Sequence, residues 1–154
     1  MPDIQLTVFT KPWTVPIGEL ADLVAGLGLD GIELPIRPGY QVQPETVKTS
    51  LPEAVKVLKS RGLEIRSAAA PLEPAIIEAC GDAGIPIVRS MVGIDPRKLS
   101  YADTIAQHRA LWDSLIPLLD RTGVSIGIQN HSGDCVGSAI GLFHLMEKYD
   151  PRHV

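Results

Sequence analysis

Short apolar runs alternate with longer stretches of helical spacing along this chain of 154 residues. The short runs predict strands, whereas apolar residues three and four positions apart predict amphipathic helices. The predicted strands cover residues 4–9, 31–34, 63–69, 85–90 and 124–129, and a sixth run begins at 152–154. A helical pattern separates each run from the next, so the chain is expected to consist of repeated βα units.

Two of the helical patterns contain proline. Ser50 and Glu53 have capping-box spacing, which predicts that a helix begins there with Pro52 in its first turn. The clearest helical stripe follows residue 100, and Pro117 within it predicts a kink or an unpaired carbonyl. The residues of this stripe are Ile105, His108, Trp112, Leu115, Ile116 and Leu119.

Alternating strands and helices predict a parallel sheet, because each crossover returns the chain to the same end of the sheet. A TIM-type barrel needs ~250 residues, so this chain would supply its first five βα units and the start of strand six. A complete five-stranded doubly wound sheet is the alternative, with a flavodoxin-like strand order of 2-1-3-4-5. The run at 152–154 favours the partial barrel. No linker divides the chain, so residues 1–154 are expected to form one domain.

Composition narrows the class of partner. The chain has 14 basic and 18 acidic residues, a net charge of −4, and no basic run, which argues against nucleic acid as a partner. No apolar stretch is long enough for a membrane span, and no signal peptide is visible at the start. Two cysteines are too few for a disulfide framework. We therefore expect a cytoplasmic protein that binds a small molecule.

Polar residues lie at the ends of the predicted strands. The carboxyl ends of parallel strands form the functional sites of α/β folds, so these residues are expected to converge on one rim. Arginine and lysine there suit an anionic ligand, and the others suit hydroxyl groups. Lys11 and Arg89 could equally be solvated rim charges. The candidates are Lys11, Glu33, Arg37, Arg89, Gln129 and His131.

Two of these candidates have further support from strand geometry. Glu33 faces away from its apolar neighbours Ile32 and Leu34, so in a barrel it would point inward and need a partner. Gln129 and His131 are two positions apart, and both would point to the barrel mouth if the strand continues. The alternative is that these two side chains cap the next helix.

The chain also resembles the xylose-isomerase-like barrel superfamily of sugar phosphate isomerases and epimerases. The likeness spans nearly the whole chain in order, although each piece alone is short. The matching pieces are Asp30-Gly31-Ile32-Glu33-Leu34, Arg37-Pro38-Gly39 with Pro44-Glu45, Ile85-Pro86-Ile87-Val88-Arg89, Gln129-Asn130-His131-Ser132-Gly133 and Tyr149-Asp150-Pro151-Arg152-His153-Val154.

This resemblance implies a TIM-type barrel that binds a divalent metal (Mn, Mg, Zn or Co) through residues of strands five to eight. Two carboxylates of the family move a proton between adjacent sugar carbons while the metal polarises the oxygens. Here the strand-five ligand position holds Gln129, whose amide oxygen can ligate a metal but cannot act as a base. We therefore take Glu33 and Gln129 as the catalytic candidates, and His131, Arg37, Lys11, Arg89 and Asn130 as the substrate-binding candidates.

Three functions stay open from the sequence. The first is a sugar or sugar-phosphate isomerase or epimerase, of which this chain supplies the N-terminal portion. The second is a catalytically silent barrel that binds a sugar, sugar acid or polyol, which Gln129 favours. The third is a complete flavodoxin-like binding domain. Whether the chain is an enzyme on its own is open, since the strands that carry most of the family ligands lie beyond it.

We also expect two properties of the chain as given. It should bind no divalent metal at a specific site, because Gln129 alone would be a weak ligand that needs others outside this chain. It should also form homo-oligomers or pair with remaining barrel segments. An opened barrel would leave strand edges and an apolar inner face exposed, and such edges promote association.

Overall fold

The computed structural model describes residues 4–154, which form a five-stranded parallel sheet with a helix after each strand. The strands are β1 (Thr7–Phe9), β2 (Gly31–Pro35), β3 (Glu64–Ala69), β4 (Ile87–Ser90) and β5 (Ser125–Ile128). The helices are α1 (Ile17–Gly26), α2 (Val47–Lys59), α3 (Pro74–Asp82), α4 (Tyr101–Thr122) and α5 (Ala139–Met146). None of these helices is long and apolar enough to cross a membrane.

The strands lie in chain order, β1-β2-β3-β4-β5, and every neighbouring pair is parallel. This order confirms the partial barrel, and the flavodoxin-like order 2-1-3-4-5 is wrong. The sheet is also curved. Phe9 of β1 lies 4.7 Å from the guanidinium of Arg89, although two strands separate β1 from β4. Side chains from non-neighbouring strands meet in this way on the concave face of a barrel.

The hydrophobic core lies between the outer face of the sheet and the helices. Ile32 and Leu34 point into this layer and are fully buried, while Glu33 between them points to the concave side. The same alternation in β4 buries Val88 and turns Arg89 inward. Helix residues from α1 to α4 complete the layer; its largest fully buried members there include Leu20, Leu51, Leu58, Ile76, Ile77, Trp112 and Leu119.

The concave face is more polar than we expected from the sequence. The expected apolar inner face is wrong: its middle carries Glu33, Ser67 and Arg89, which bond to one another, together with Phe9. Near the amino ends of the strands, Arg66 forms an ion pair with Glu64 and also bonds to Gln5. The fold tolerates these partly buried polar side chains because each one has a charged or hydrogen-bonding partner on the same face.

The chain returns to the edge of β5 where a sixth strand was predicted. The Ile126 amide donates to the carbonyl of His153 at 2.7 Å, and the Ser125 hydroxyl donates to the carbonyl of Arg152 at 2.7 Å. Residues 151–153 are a turn rather than a strand. Even so, this segment already forms a backbone bond to the edge that a sixth barrel strand would occupy.

Helix α2 begins earlier than the capping-box pattern predicted. A single 3-10 turn at Pro44–Thr46 leads directly into α2 at Val47. Ser50 is therefore inside the helix, where its hydroxyl donates to the Thr46 carbonyl at 2.9 Å rather than capping an amide. In α4, the helix continues through Pro117, which has no N–H to donate to the preceding turn.

Candidate functional site

Glu33 is the centre of a hydrogen-bonded network on the concave face. Its carboxylate receives two parallel bonds from Arg89: Nε to Oε1 and Nη2 to Oε2, both at 3.0 Å. The two side chains are only 18% and 12% exposed. A bidentate pair of this kind fixes both groups in one geometry, and partial burial limits its screening by water. The inward direction expected for Glu33 is confirmed by these contacts.

Arg89 connects this ion pair to the end of β5. Its Nη1 donates to the Gln129 side-chain oxygen at 2.8 Å. The Gln129 backbone amide in turn donates to the Ser90 carbonyl at 2.9 Å, which extends the β4–β5 pairing one residue past β5. Three of the residues predicted from sequence, Glu33, Arg89 and Gln129, therefore form one connected group.

Ser67 is a member of this group that sequence reasoning missed. Its hydroxyl donates to Glu33 Oε1 at 3.1 Å. Ser67 stands opposite Glu33 only because the pairing of β2 with β3 shifts by one residue after Ile32. A regular register would have placed Arg66 there. No local pattern in the sequence marks this irregularity.

Phe9 is the second missed member, and it packs against the face of the guanidinium. The Arg89 carbon Cζ lies 4.7 Å from the Phe9 ring centroid, within the range of a cation–π contact. The carboxylate of Glu33, the amide of Gln129 and the ring of Phe9 thus hold Arg89 from three directions. One N–H on each terminal nitrogen of Arg89 is left over after these bonds, so the group can still donate to a ligand.

Arg37 is placed near Arg89 by the turn that follows β2. Both residues line a groove of about 270 Å³ between the carboxyl ends of β2, β3 and β4. The remaining residues that line it are Ala70, Pro71, Ser90 and Met91. The carboxyl rim expected from the sequence therefore exists as an open groove with two arginines.

Three other candidates have no contact with this network among the residues described. Lys11 is exposed, and its carbonyl accepts a bond from the Tyr40 hydroxyl at 3.2 Å. Asn130 bonds to the Gly137 carbonyl and the His131 ring to the Ser132 carbonyl, so both side chains bond within their own loop. Because β5 ends at Ile128, alternation along the strand does not extend to His131. Their assignment as substrate-binding residues stays a prediction.

The residues present do not fit a divalent metal. The Gln129 oxygen already accepts a bond from a guanidinium 2.8 Å away, and a second positive charge at that oxygen would be repelled. Residues 4–154 contain no group of three His, Cys, Asp or Glu side chains arranged to hold an ion. We therefore derive no chemical step through a metal.

Burial also makes Cys80 unsuitable as a nucleophile. Its thiol lies in the core, and burial raises its pKa to about 12. A thiol with such a pKa is protonated near neutral pH and therefore unreactive. The chemistry of the rim consequently depends on the arginines and the hydrogen-bonding groups around them.

Comparison with known proteins supports the fold. No protein-family model and no curated protein matches the sequence. Solved structures do match. A D-tagatose 3-epimerase-like protein superposes with a TM-score of 0.73 at 13% identity, over 96% of this chain and 61% of the other. The fold is that of the xylose isomerase-like TIM barrels.

Two further structures give the same result. A xylose isomerase domain protein from Planctomyces limnophilus has a TM-score of 0.64 at 12% identity, with 99% of this chain and 62% of the other covered. The IolI protein, whose structure holds a zinc atom, has a TM-score of 0.71 at 14% identity, over 94% of this chain and 58% of the other. The chain thus spans about three fifths of these barrels, consistent with five of eight βα units.

Proposed function

We propose that this chain forms the N-terminal, ligand-binding portion of a sugar isomerase or epimerase of the xylose isomerase-like type. The observation that carries the proposal is the Glu33–Arg89–Gln129 network at the carboxyl rim of a barrel sheet. A restrained guanidinium with spare donors is suited to hold sugar oxygens in a fixed position. The neighbours named as sugar epimerases and isomerases support the choice of a sugar as ligand.

Within this proposal, Arg89 contacts the sugar and Glu33 positions Arg89. Both oxygens of Glu33 already accept bonds, from the Arg89 guanidinium and from Ser67, so Glu33 is poorly placed to take a proton from a sugar carbon as a general base. Gln129 has no ionisable group. The proton-transferring groups of the reaction would then come from outside these five βα units.

A second candidate function is a barrel that binds a sugar or polyol without turnover. The bond between Gln129 and Arg89 favours it, because the catalytic position of the family is then occupied by a neutral amide that already has a partner. The two candidates predict the same binding and differ only in proton transfer. One experiment with two readouts can therefore separate them.

The first readout is binding of D-tagatose, D-fructose and D-xylose, measured by saturation-transfer NMR on the 154-residue chain. We expect transfer to the protons of at least one sugar, and at least ~5-fold weaker binding in Arg89→Met, since the substitution removes every guanidinium donor. Arg97→Met is the matched control, because Arg97 is 84% exposed and bonds only to the nearby Asp95. Equal binding by all three proteins would contradict the proposed site.

The second readout is exchange of carbon-bound hydrogen in D₂O for each sugar that binds. Transfer through an enediolate replaces the hydrogen next to the carbonyl by deuterium, and the NMR signal of that hydrogen disappears. Exchange by the protein completed with the remaining barrel strands would support the isomerase or epimerase. Binding without exchange in that protein would instead support the silent sugar-binding barrel.

A further inference from the structure

Arg37 differs from the other arginines of the chain. Seven of the eight arginines bond through their side chains to a carboxylate, a carbonyl or another side chain. Among residues 4–154, the Arg37 guanidinium has no hydrogen-bonding or ion-pair partner, although the residue as a whole is half-buried. Its donors are therefore free for a ligand that enters the groove.

The backbone around Arg37 is held in place by its neighbours. Arg37–Tyr40 is a tight turn in which the Tyr40 amide donates to the Arg37 carbonyl at 3.2 Å, and Gly39 adopts the positive φ of 82° that the turn needs. The Arg37 amide donates to the Val42 carbonyl at 3.1 Å. The position of Arg37 is therefore set by backbone bonds.

A second loop secures this turn from the side of β1. The side-chain nitrogen Nε2 of Gln41 donates to the carbonyls of Trp13 and Val15, at 3.0 and 2.8 Å. The Tyr40 hydroxyl donates to the carbonyl of Lys11 in the same loop. The backbone of Arg37 is consequently held in one conformation. This lowers the conformational entropy that the protein loses when a ligand binds.

Charge in the groove is unbalanced. Arg37 and Arg89 both line it, and none of the described residues that line it is acidic. Glu33 neutralises only Arg89, with which it forms a bidentate pair. One positive charge is left at the groove, so an anionic group is the natural complement.

We infer that Arg37 and Arg89 form an anion subsite, so that the substrate is an acidic sugar carrying a carboxylate or a phosphate. This inference rests on the proposed function and narrows it, because the neutral part of the sugar would contact Arg89 while the anion is bound at Arg37. Arg37 is then the residue that distinguishes acidic from neutral sugars. Both anions match the guanidinium geometry, so the test includes each.

The test compares D-ribose, D-ribonate and D-ribose 5-phosphate as probes, with dissociation constants measured by calorimetry on the 154-residue chain. We expect at least one acidic probe to bind ~10-fold or more tightly than D-ribose. Arg37→Gln should abolish that preference, while Arg37→Lys should restore part of it. Arg97→Gln removes the same charge from an exposed position and should change nothing.

Each outcome has a distinct meaning. Loss of the acidic preference in Arg37→Gln alone supports the subsite, and the better of the two acidic probes identifies the anion. Equal binding of D-ribose and both acids would overturn the subsite but leave the proposed sugar site intact. An acidic preference that survives Arg37→Gln would also overturn it. Binding of none of the probes would overturn both proposals.

Discussion

Glu33 and Arg89 depend on each other for compensation of their charges. Removing the carboxylate in Glu33→Ala leaves Arg89, whose side chain is 12% exposed, without a counter-ion. We expect the free energy of unfolding to fall by about 2 kcal/mol, less than for a fully buried pair because water still reaches the concave face. Urea denaturation of the 154-residue chain measures the change.

A double-mutant cycle separates the energy of the Glu33–Arg89 ion pair from the energy that each substitution loses in packing. Adding Arg89→Met to Glu33→Ala removes the stranded charge, so the double variant should recover part of the lost stability. The surface pair of Arg61 with Asp22, which are 38% and 64% exposed, is the matched control. Asp22→Ala should cost less than ~1 kcal/mol. Strictly additive effects of Glu33→Ala and Arg89→Met would show that the pair is not coupled.

Gly31 lies where the fold leaves no room for a side chain. A Cβ at this position would overlap the backbone carbonyl oxygen of Glu64 on β3. Gly31→Ala must therefore push β2 away from β3, and we expect it to destabilise the fold by about 1–3 kcal/mol. Gly18 in α1 has no atom within 4 Å of the same position, so Gly18→Ala is the control and should not destabilise. Equal thermal midpoints for both variants would contradict this account.

The inward direction of Glu33 could be predicted from its own segment, because a carboxylate between two buried aliphatic residues follows strand alternation. Its partners could not. Ser67 and Phe9 reach Glu33 and Arg89 through the register and curvature of the sheet, which no single segment encodes. His131 shows the reverse: its spacing from Gln129 predicted a shared direction, but β5 ends before it.

At the scale of elements, the irregular pairing of β2 with β3 decides which groups meet. Ile32 pairs with Ile65, but Glu33 pairs with Ser67, so Arg66 is the extra residue of a bulge. Arg66 is thereby directed to Glu64 and Gln5 near the amino ends of the strands. Bulges commonly redirect side chains beside functional sites. Because Arg66 is displaced, Glu33 is available to Arg89 of β4.

The bulge can be tested by deleting its extra residue. Removal of Arg66 should leave Ile65 opposite Ile32 and Ser67 opposite Glu33, now in a regular register, because both pairings already exist in the fold. We expect a folded protein, because the buried residues Ala68 and Ala69 keep their faces and their partners on β2. Arg66→Ala keeps the chain length and serves as the control. A deletion variant that unfolds at a much lower urea concentration than Arg66→Ala would contradict the assignment of Arg66 as the extra residue.

The turn at the end of the chain is expected to depend on pH. The side chain of Arg152, and then its backbone amide, lower the pKa of Asp150 to about 2 from an ordinary 3.8. A lowered folded-state pKa means that Asp150 stabilises the turn above about pH 4 and that this contribution is lost as the pH falls through about 2. The protection of the His153 amide, which donates to the Asp150 carbonyl, against hydrogen exchange should therefore fall over that range.

Asp150→Asn isolates this effect from general acid unfolding. The amide cannot ionise, so the protection factor of the His153 amide should be low at pH 5 and change little toward pH 2. In the unchanged protein the protection factor of His153, relative to that of a core amide such as Ile32, should fall as the pH is lowered. An identical pH dependence in the two proteins would assign the effect to another group. This turn matters because the His153 carbonyl accepts the Ile126 amide at the edge of β5.

For the whole molecule, the order of the elements was predictable and the character of its exposed surfaces was not. Alternating apolar runs and helical stripes specify βα units, and parallel pairing follows from chain direction. An apolar concave face was expected because parallel strands are usually covered on both sides. The sheet instead pairs charges there, as Glu33 with Arg89 and Glu64 with Arg66. Of the large exposed apolar side chains, Ile87 of β4 shares this face with Arg89, and the more exposed ones lie elsewhere.

Two pairs of exposed apolar side chains lie at the two ends of the sheet. Ile4 and Leu6, before and beside β1, are 80% and 58% exposed. Ile140 and Phe143, one helical turn apart on α5, are 73% and 63% exposed. Exposed apolar residues next to an open strand edge favour association with another chain. We therefore still expect the chain to associate with itself or with further barrel segments, but through these ends rather than through the concave face.

Analytical ultracentrifugation at low micromolar concentration tests this expectation. The 154-residue chain should sediment as a dimer or larger species, and Leu6→Lys or Phe143→Lys should shift it toward the monomer, because each places a charge in the contact. Leu27→Lys is the matched control: Leu27 is 59% exposed and caps the carboxyl end of α1, outside the two proposed contacts. An unchanged protein that sediments as a monomer and unfolds cooperatively would contradict this expectation. It would show instead that the polar concave face and the two bonds from β5 to Arg152 and His153 are enough to stabilise an open barrel.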